Sequence, residues 1–265
     1  MAEKYIYDAN GIRMNYATFG DGSECIVILP GISIKSVVTM ADSVEASYCL
    51  PEYKNRFVFY LFDQKEDPPM DYSIKNMADD LSWVIRDLGL NKLNILGASL
   101  GGMMAFAMGA YYPELVNKLC LVSTAPTAPP SFKKVLPEWI SLGREHNITA
   151  LAPHFADDVY SAKTLSQFRD SIISSILDAT ESELDNYAIR SEAMLKWDLG
   201  DDIKKIQAPA IAIGSRGDTL YGYECTLQTG ESLGCETFLY GPEYGHAVYD
   251  EAPDFPERIL KFFAK

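Results

Sequence analysis

The sequence predicts an α/β fold: a mostly parallel sheet of eight strands, helices on both faces, and a block of helices inserted late in the chain. Three observations carry this. Short, near-continuous apolar runs such as Glu24–Leu29 and Arg56–Phe62 read as strands buried on both faces, the habit of parallel sheets. They alternate with segments at helical spacing, as crossover connections between parallel strands require. From 125 to 202 the strand-like runs stop and only helical patterns remain.

Composition bounds the rest. A length of 265 residues suits one α/β unit with an insertion, and 48% hydrophobic residues supply a large core. Lys and Arg number 23 against 37 Asp and Glu, a net charge of −14 that repels nucleic acid and anionic membrane surfaces. The expected partner is therefore a small-molecule substrate. Met1–Asp8 lacks a basic segment followed by an apolar one, and no apolar run reaches the ~18 residues of a membrane span. Five scattered cysteines without a C-x-x-C pair read as reduced thiols, so the expected location is cytoplasmic.

Taken in order, Lys4–Asp8 and Arg13–Phe19 are short strands joined through Asn10-Gly11, a strong hairpin signal. Glu24–Leu29 is a buried strand that ends at Pro30-Gly31-Ile32-Ser33. Val37–Tyr48 reads as a helix, and Arg56–Phe62 as a buried strand ending at Asp63. Ser73 can cap a helix with apolar residues at Met77, Leu81, Val84, Ile85 and Leu88, closed by Gly89. Leu93–Leu96 and Val116–Val122 are the next strands. Lys134–His146, Lys163–Leu177 and Glu181–Lys196 are amphipathic helices of the inserted block. Pro209–Gly214 and Cys235–Tyr240 complete the strands, separated by a helix over Tyr221–Leu233, and Pro253–Phe263 is a closing helix. The expected organisation is a core of residues 1–124 and 203–265 with a helical lid over 125–202.

The chemistry concentrates at Gly97-Ala98-Ser99-Leu100-Gly101, a G-x-S-x-G sequence between a strand and an apolar helix. The turn is tight enough to strain Ser99, and glycine two residues to either side lets strand and helix approach. Ser99 then sits at a helix N-terminus, which favours developing negative charge. The plainer alternative is a Gly-rich turn with an incidental serine.

A serine hydroxyl needs a base, and the base needs an acid that fixes its tautomer. Only three histidines are present, and His246 alone follows a core strand, at the sheet edge where Ser99 also lies. His146 and His154 fall in the helical block as surface or lid residues. His154 with Asp157 and Asp158 is too sparse a pattern for a metal. Asp218, in Gly214-Ser215-Arg216-Gly217-Asp218, follows a strand and lies between serine and histidine in sequence. Asp198, Asp201 and Asp202 satisfy the order but precede that strand, and a turn-forming role is the alternative for Asp218 itself.

These three places resemble the α/β-hydrolase superfamily over essentially the whole chain. The order Ser99, Asp218, His246 is the order of that superfamily. The stretch Arg190-Ser191-Glu192-Ala193-Met194 to Trp197-Asp198 and Ile206-Gln207-Ala208-Pro209 looks like its small esterase, lactonase and C–C hydrolase members with four-helix lids. Where such relatives carry His-Gly after the third strand, this chain has Pro30-Gly31. The Asp-Arg-Gly-x-Gly-x-Ser run after the fourth strand is replaced by Asp63-Gln64-Lys65-Glu66-Asp67-Pro68.

The resemblance implies a serine hydrolase in which the backbone amides of Ile32 and Leu100 form the oxyanion hole, with no cofactor or metal. Ser99 attacks the carbonyl of a small ester or lactone, and an acyl-enzyme is then hydrolysed. Of the lid aromatics Phe132, Trp139, Phe155, Phe168 and Trp197, the tryptophans Trp139 and Trp197 are the substrate-binding candidates; packing of lid on core is the alternative. The same triad could instead serve a C–C bond, an amide or N-terminal peptide bond, or acyl transfer. A ligand-binding protein with negligible turnover is the reading from a different class.

Overall fold

Eight strands form one sheet in the order β1-β2-β4-β3-β5-β6-β7-β8 in a computed structural model that describes residues 1–265. They are β1 (Glu3–Ala9), β2 (Ile12–Phe19), β3 (Glu24–Leu29), β4 (Phe57–Phe62), β5 (Leu93–Ala98), β6 (Val116–Val122), β7 (Ala210–Ser215) and β8 (Glu236–Tyr240). The β1–β2 and β2–β4 pairs are antiparallel and the other five are parallel. The first hairpin turns through Asn10 (φ 54°) and Gly11 (φ 71°), the pair of positive φ angles that an Asn-Gly turn accepts readily.

The ten helices are α1 (Ala41–Tyr48), α2 (Ile74–Asp87), α3 (Leu100–Tyr111), α4 (Phe132–Arg144), α5 (Ile148–Val159), α6 (Ala162–Ser174), α7 (Glu181–Leu195), α8 (Tyr223–Leu233), α9 (Val248–Glu251) and α10 (Phe255–Ala264). Ser73 caps α2 in a reciprocal box with Asn76. Val37–Met40 forms a separate 3-10 turn, so of the stretch Val37–Tyr48 only Ala41–Tyr48 is α-helical. Helix α5 has no counterpart in the sequence reading. Pro153 lies inside it, and its start is held by Asn147, whose side chain accepts the Ala150 N–H.

Side chains alternate across the central strands. Val27, Leu29 and Ile95 join the core that includes α2 and α3, whereas Ile26, Ile28 and Leu96 join the core under α10. Helices α4, α5 and α7, between β6 and β7, contribute Leu136, Trp139, Leu151, Leu184 and Tyr187 to the first of these cores. The helical block thus shares apolar burial with the sheet instead of standing apart. Its entry and exit are pinned together: Thr127 bridges Asp198, and the Trp197 Nε1–H donates to the Ala125 carbonyl at 3.0 Å. No helix is long and apolar enough to cross a membrane.

Candidate active site

Ser99 occupies the single residue between β5 and α3, with φ 52° and ψ −117°. A non-glycine residue there carries strain on the order of 1–3 kcal/mol, so its surroundings must impose the conformation. They do so through hydrogen bonds. The Ser99 N–H donates to the Val122 carbonyl at 2.9 Å, and its carbonyl accepts the Thr124 hydroxyl at 2.9 Å. The flanking glycines allow the approach: a β-carbon on Gly97 would lie 2.5 Å from the Gly101 oxygen, and one on Gly101 only 2.0 Å from the Leu29 oxygen. Ser99 is 2% exposed at the N-terminus of α3.

Asp218 follows β7 and His246 follows β8. The His246 Nδ1–H donates to Asp218 Oδ2 at 2.9 Å, with both side chains 2% exposed. That bond fixes the tautomer that leaves Nε2 free to accept a proton. The other carboxylate oxygen of Asp218 accepts the Leu220 and Tyr221 N–H groups, each at 2.9 Å. Burial alone would raise the Asp218 carboxyl, but His246 and the two amide donors outweigh it and hold the group below its usual range. Ser99 Oγ makes no hydrogen bond to His246.

Beside these residues stands a side chain absent from the sequence reading. The Tyr221 ring lies parallel to the His246 imidazole, 5.1 Å between centroids and 4° between planes. The ring also meets Phe132 of α4, edge-on at 4.8 Å. The Tyr221 hydroxyl is buried near the Ser99 and Thr124 side chains, with no well-formed hydrogen bond to either. The loop that carries His246 is held from the helical block: the Ala247 N–H donates to the Val159 carbonyl at 3.0 Å, and Glu251 accepts the N–H groups of Gly245 (2.6 Å) and Ser161 (2.7 Å).

The loop Pro30-Gly31-Ile32 passes directly beside Ser99, since a β-carbon on Gly31 would lie 3.3 Å from Ser99 Cβ. The Ile32 N–H donates to no acceptor in the chain, and the Leu100 N–H is the first of α3, where no intrahelical acceptor exists. From the end of β4, the Gln64 amide donates to the Gly31 carbonyl at 3.3 Å. Its neighbour Asp63 accepts the Ser36 hydroxyl and the Val37 N–H; burial raises the Asp63 carboxyl despite these donors and nearby Arg190.

On the far side of this loop is a polar cavity of about 280 Å³, walled by Ser33, Asp63 and Gln64 and by Asn186 and Arg190 of α7. Neither Ser99 nor His246 lines it. The Arg190 guanidinium donates to the Lys65 carbonyl at 2.8 Å, and burial lowers it to about 10.

The tryptophan candidates are both spent on packing. Trp139 has no exposed surface; its Nε1–H donates to Asp158 at 2.9 Å, and its ring packs against Phe155 and Tyr187. Trp197 is 7% exposed and secures the start of the helical block through Ala125. Phe168 is 54% exposed, and Phe132 packs on Tyr221 beside His246. His146 pairs with Asp185 at 3.2 Å and His154 with Glu138 at 3.3 Å, both within the helical block. Asp157 is taken by Arg169 and Asp158 by Trp139, so His154 and these acids do not converge.

A family model described as alpha/beta hydrolase fold matches residues 40–213, more than half of the chain. The chain is 26% identical over 198 residues to a Serratia proteamaculans protein named for carbamate hydrolysis, RutD, with 74% of each covered. It is 28% identical over 195 residues to the 2-hydroxy-6-oxononadienedioate/2-hydroxy-6-oxononatrienedioate hydrolase of Paraburkholderia phymatum, covering 70% of this chain and 67% of that protein. Among solved structures, the enol-lactonase of Burkholderia xenovorans superposes with a TM-score of 0.84 at 19% identity, over 98% of this chain and 100% of that one. MGS-M2, an alpha/beta hydrolase from a deep-sea metagenome, gives 0.87 at 21% identity over 98% of both chains. At such identities the structural likeness speaks for the fold.

Proposed function

This chain belongs to the alpha/beta hydrolase family, and from that premise we propose that it is a serine hydrolase of small carboxylic esters or lactones. The observation that carries the reading is the 2.9 Å bond from His246 to Asp218 at the sheet edge where the strained Ser99 stands. The mechanism follows from those groups. His246 takes the Ser99 proton as Oγ attacks the carbonyl, and Asp218 keeps the imidazole oriented and offsets its charge. The oxyanion is met by the Ile32 and Leu100 amides. His246 returns its proton to the departing alkoxide, and water then opens the acyl-enzyme by the same route. The unmade Ser99–His246 bond is compatible with this, because such contacts often tighten only with substrate bound.

The names of the relatives favour a second reading, in which the same groups act on a carbamate or a C–C bond. Specificity resides in pocket shape, so a substrate panel separates the two. The test is turnover of p-nitrophenyl acetate, butyrate and octanoate by the wild type beside Ser99→Ala and His246→Ala. Loss of Ser99 should cost on the order of 10⁶ in turnover. Wild-type rates no higher than those of the two variants would refute the ester reading.

A further inference from the structure

Ser99 is flanked differently on its two sides. In the sheet, β5 lies between β3 and β6. On the β3 side Gly31 runs beside Ser99; the β6 side brings Thr124, whose hydroxyl donates to the Ser99 carbonyl. Tyr221 faces the β6 side. Its backbone N–H holds Asp218, its ring covers one face of His246, and its hydroxyl lies near enough to the Ser99 and Thr124 side chains for both to act on the phenol, with no well-formed hydrogen bond to either. The residue is 4% exposed, which leaves little room for water to complete the hydroxyl. A buried hydroxyl held beside Ser99 without a well-formed bond is free to donate to an oxygen that a ligand brings there.

Which oxygen follows from the flanks. If the carbonyl oxygen of a bound ester turns to the β3 side, the remaining oxygen on the reacting carbon is the alkoxy oxygen, and it must lie near His246 to receive a proton. We propose that the Tyr221 hydroxyl donates a hydrogen bond to this alkoxy oxygen and assists departure of the alcohol. When the C–O bond breaks, its electron pair goes to the alkoxy oxygen, the proton comes from His246 Nε2, and Tyr221 keeps its own. Burial raises the phenol, so it remains a donor through neutral and mildly alkaline pH. The assignment rests on the serine-hydrolase reading and adds a substrate class: esters of poorly departing alcohols.

Tyr221→Phe keeps the ring and removes the donor. Because that hydroxyl makes no well-formed hydrogen bond, the variant should melt close to wild type. Its kcat/KM is compared with wild type on p-nitrophenyl acetate, phenyl acetate and ethyl acetate, with Ser99→Ala as the blank. The expected loss grows with the basicity of the leaving alcohol, from roughly threefold for p-nitrophenol to roughly 30-fold for ethanol, the scale of one hydrogen bond to developing charge. An equal loss on all three esters, or none, would overturn the assignment and leave the hydrolase reading standing. Wild-type rates equal to the Ser99→Ala blank would remove both.

Discussion

Gln64 donates its side-chain amide to the Gly31 carbonyl, so the loop beside Ser99 is held by the end of the adjacent strand β4 and not by its own residues. This places control of the Ile32 amide in a residue that never faces the nucleophile. Gln64→Leu should lower kcat by about tenfold with little change in KM, as expected when a donor to the transition state is misplaced. Steady-state kinetics on p-nitrophenyl butyrate reads this directly, and an unchanged kcat would separate Gln64 from the oxyanion loop.

Gly101 is needed for space. A β-carbon there would meet the Leu29 and Pro30 carbonyl oxygens at 2.0 and 2.6 Å, both parts of the backbone. Gly101→Ala must push α3 away from β3, at a cost of about 2–3 kcal/mol, which lowers Tm by roughly 5–10 °C. Calorimetry of the two proteins provides the comparison.

Asp218 ties the site to acid stability. Its folded-state carboxyl lies below the usual range, so the unfolded chain binds its proton at higher pH than the folded one. The stabilisation is complete above the unfolded value of about 3.9 and is lost as pH falls through the lower folded value. Asp218→Asn should therefore trail wild type in urea stability at pH 6 and draw level with it toward pH 2. It should also lose on the order of 10⁴ in kcat, because the imidazole tautomer is no longer fixed. A stability gap that persists unchanged to low pH would show that ionisation of Asp218 is not its source.

Trp139 separates packing from binding. With no exposed surface and its indole bonded to Asp158, Trp139→Phe should cost about 1–3 kcal/mol of stability while KM stays constant well below Tm. A raised KM at unchanged Tm would return the residue to the substrate pocket.

Much of the fold was readable because its signals are local. The bounds of β3 and β6 coincide with apolar runs in the sequence, the Ser73 cap precedes its helix by one residue, and Asn10-Gly11 turns where a two-residue hairpin should. Helix α5 escaped because Pro153 interrupts its pattern and its cap, Asn147, also suits a turn. At the site, Ser99, Asp218 and His246 stood out as candidates because each follows a strand in a recognisable order, and the structure pairs the last two. What could not be read are contacts between residues far apart in sequence. Gln64 on Gly31, Tyr221 on His246 and Glu251 between Gly245 and Ser161 depend on how loops meet at the sheet edge. An aromatic three residues beyond the expected acid was the one local hint of Tyr221. Trp139 shows a related limit: size and aromaticity suit a pocket and a core equally well, and its full burial appears only in the structure.

The central claim is that Ser99 is a nucleophile activated by His246. The most direct test is reaction with a fluorophosphonate, read by intact mass and peptide mapping, for wild type, Ser99→Ala and His246→Ala. One adduct is predicted on the wild type, mapped to Ser99, absent from Ser99→Ala and formed far more slowly by His246→Ala. A folded wild-type protein that takes up no adduct, or takes it up at another residue, would contradict the claim.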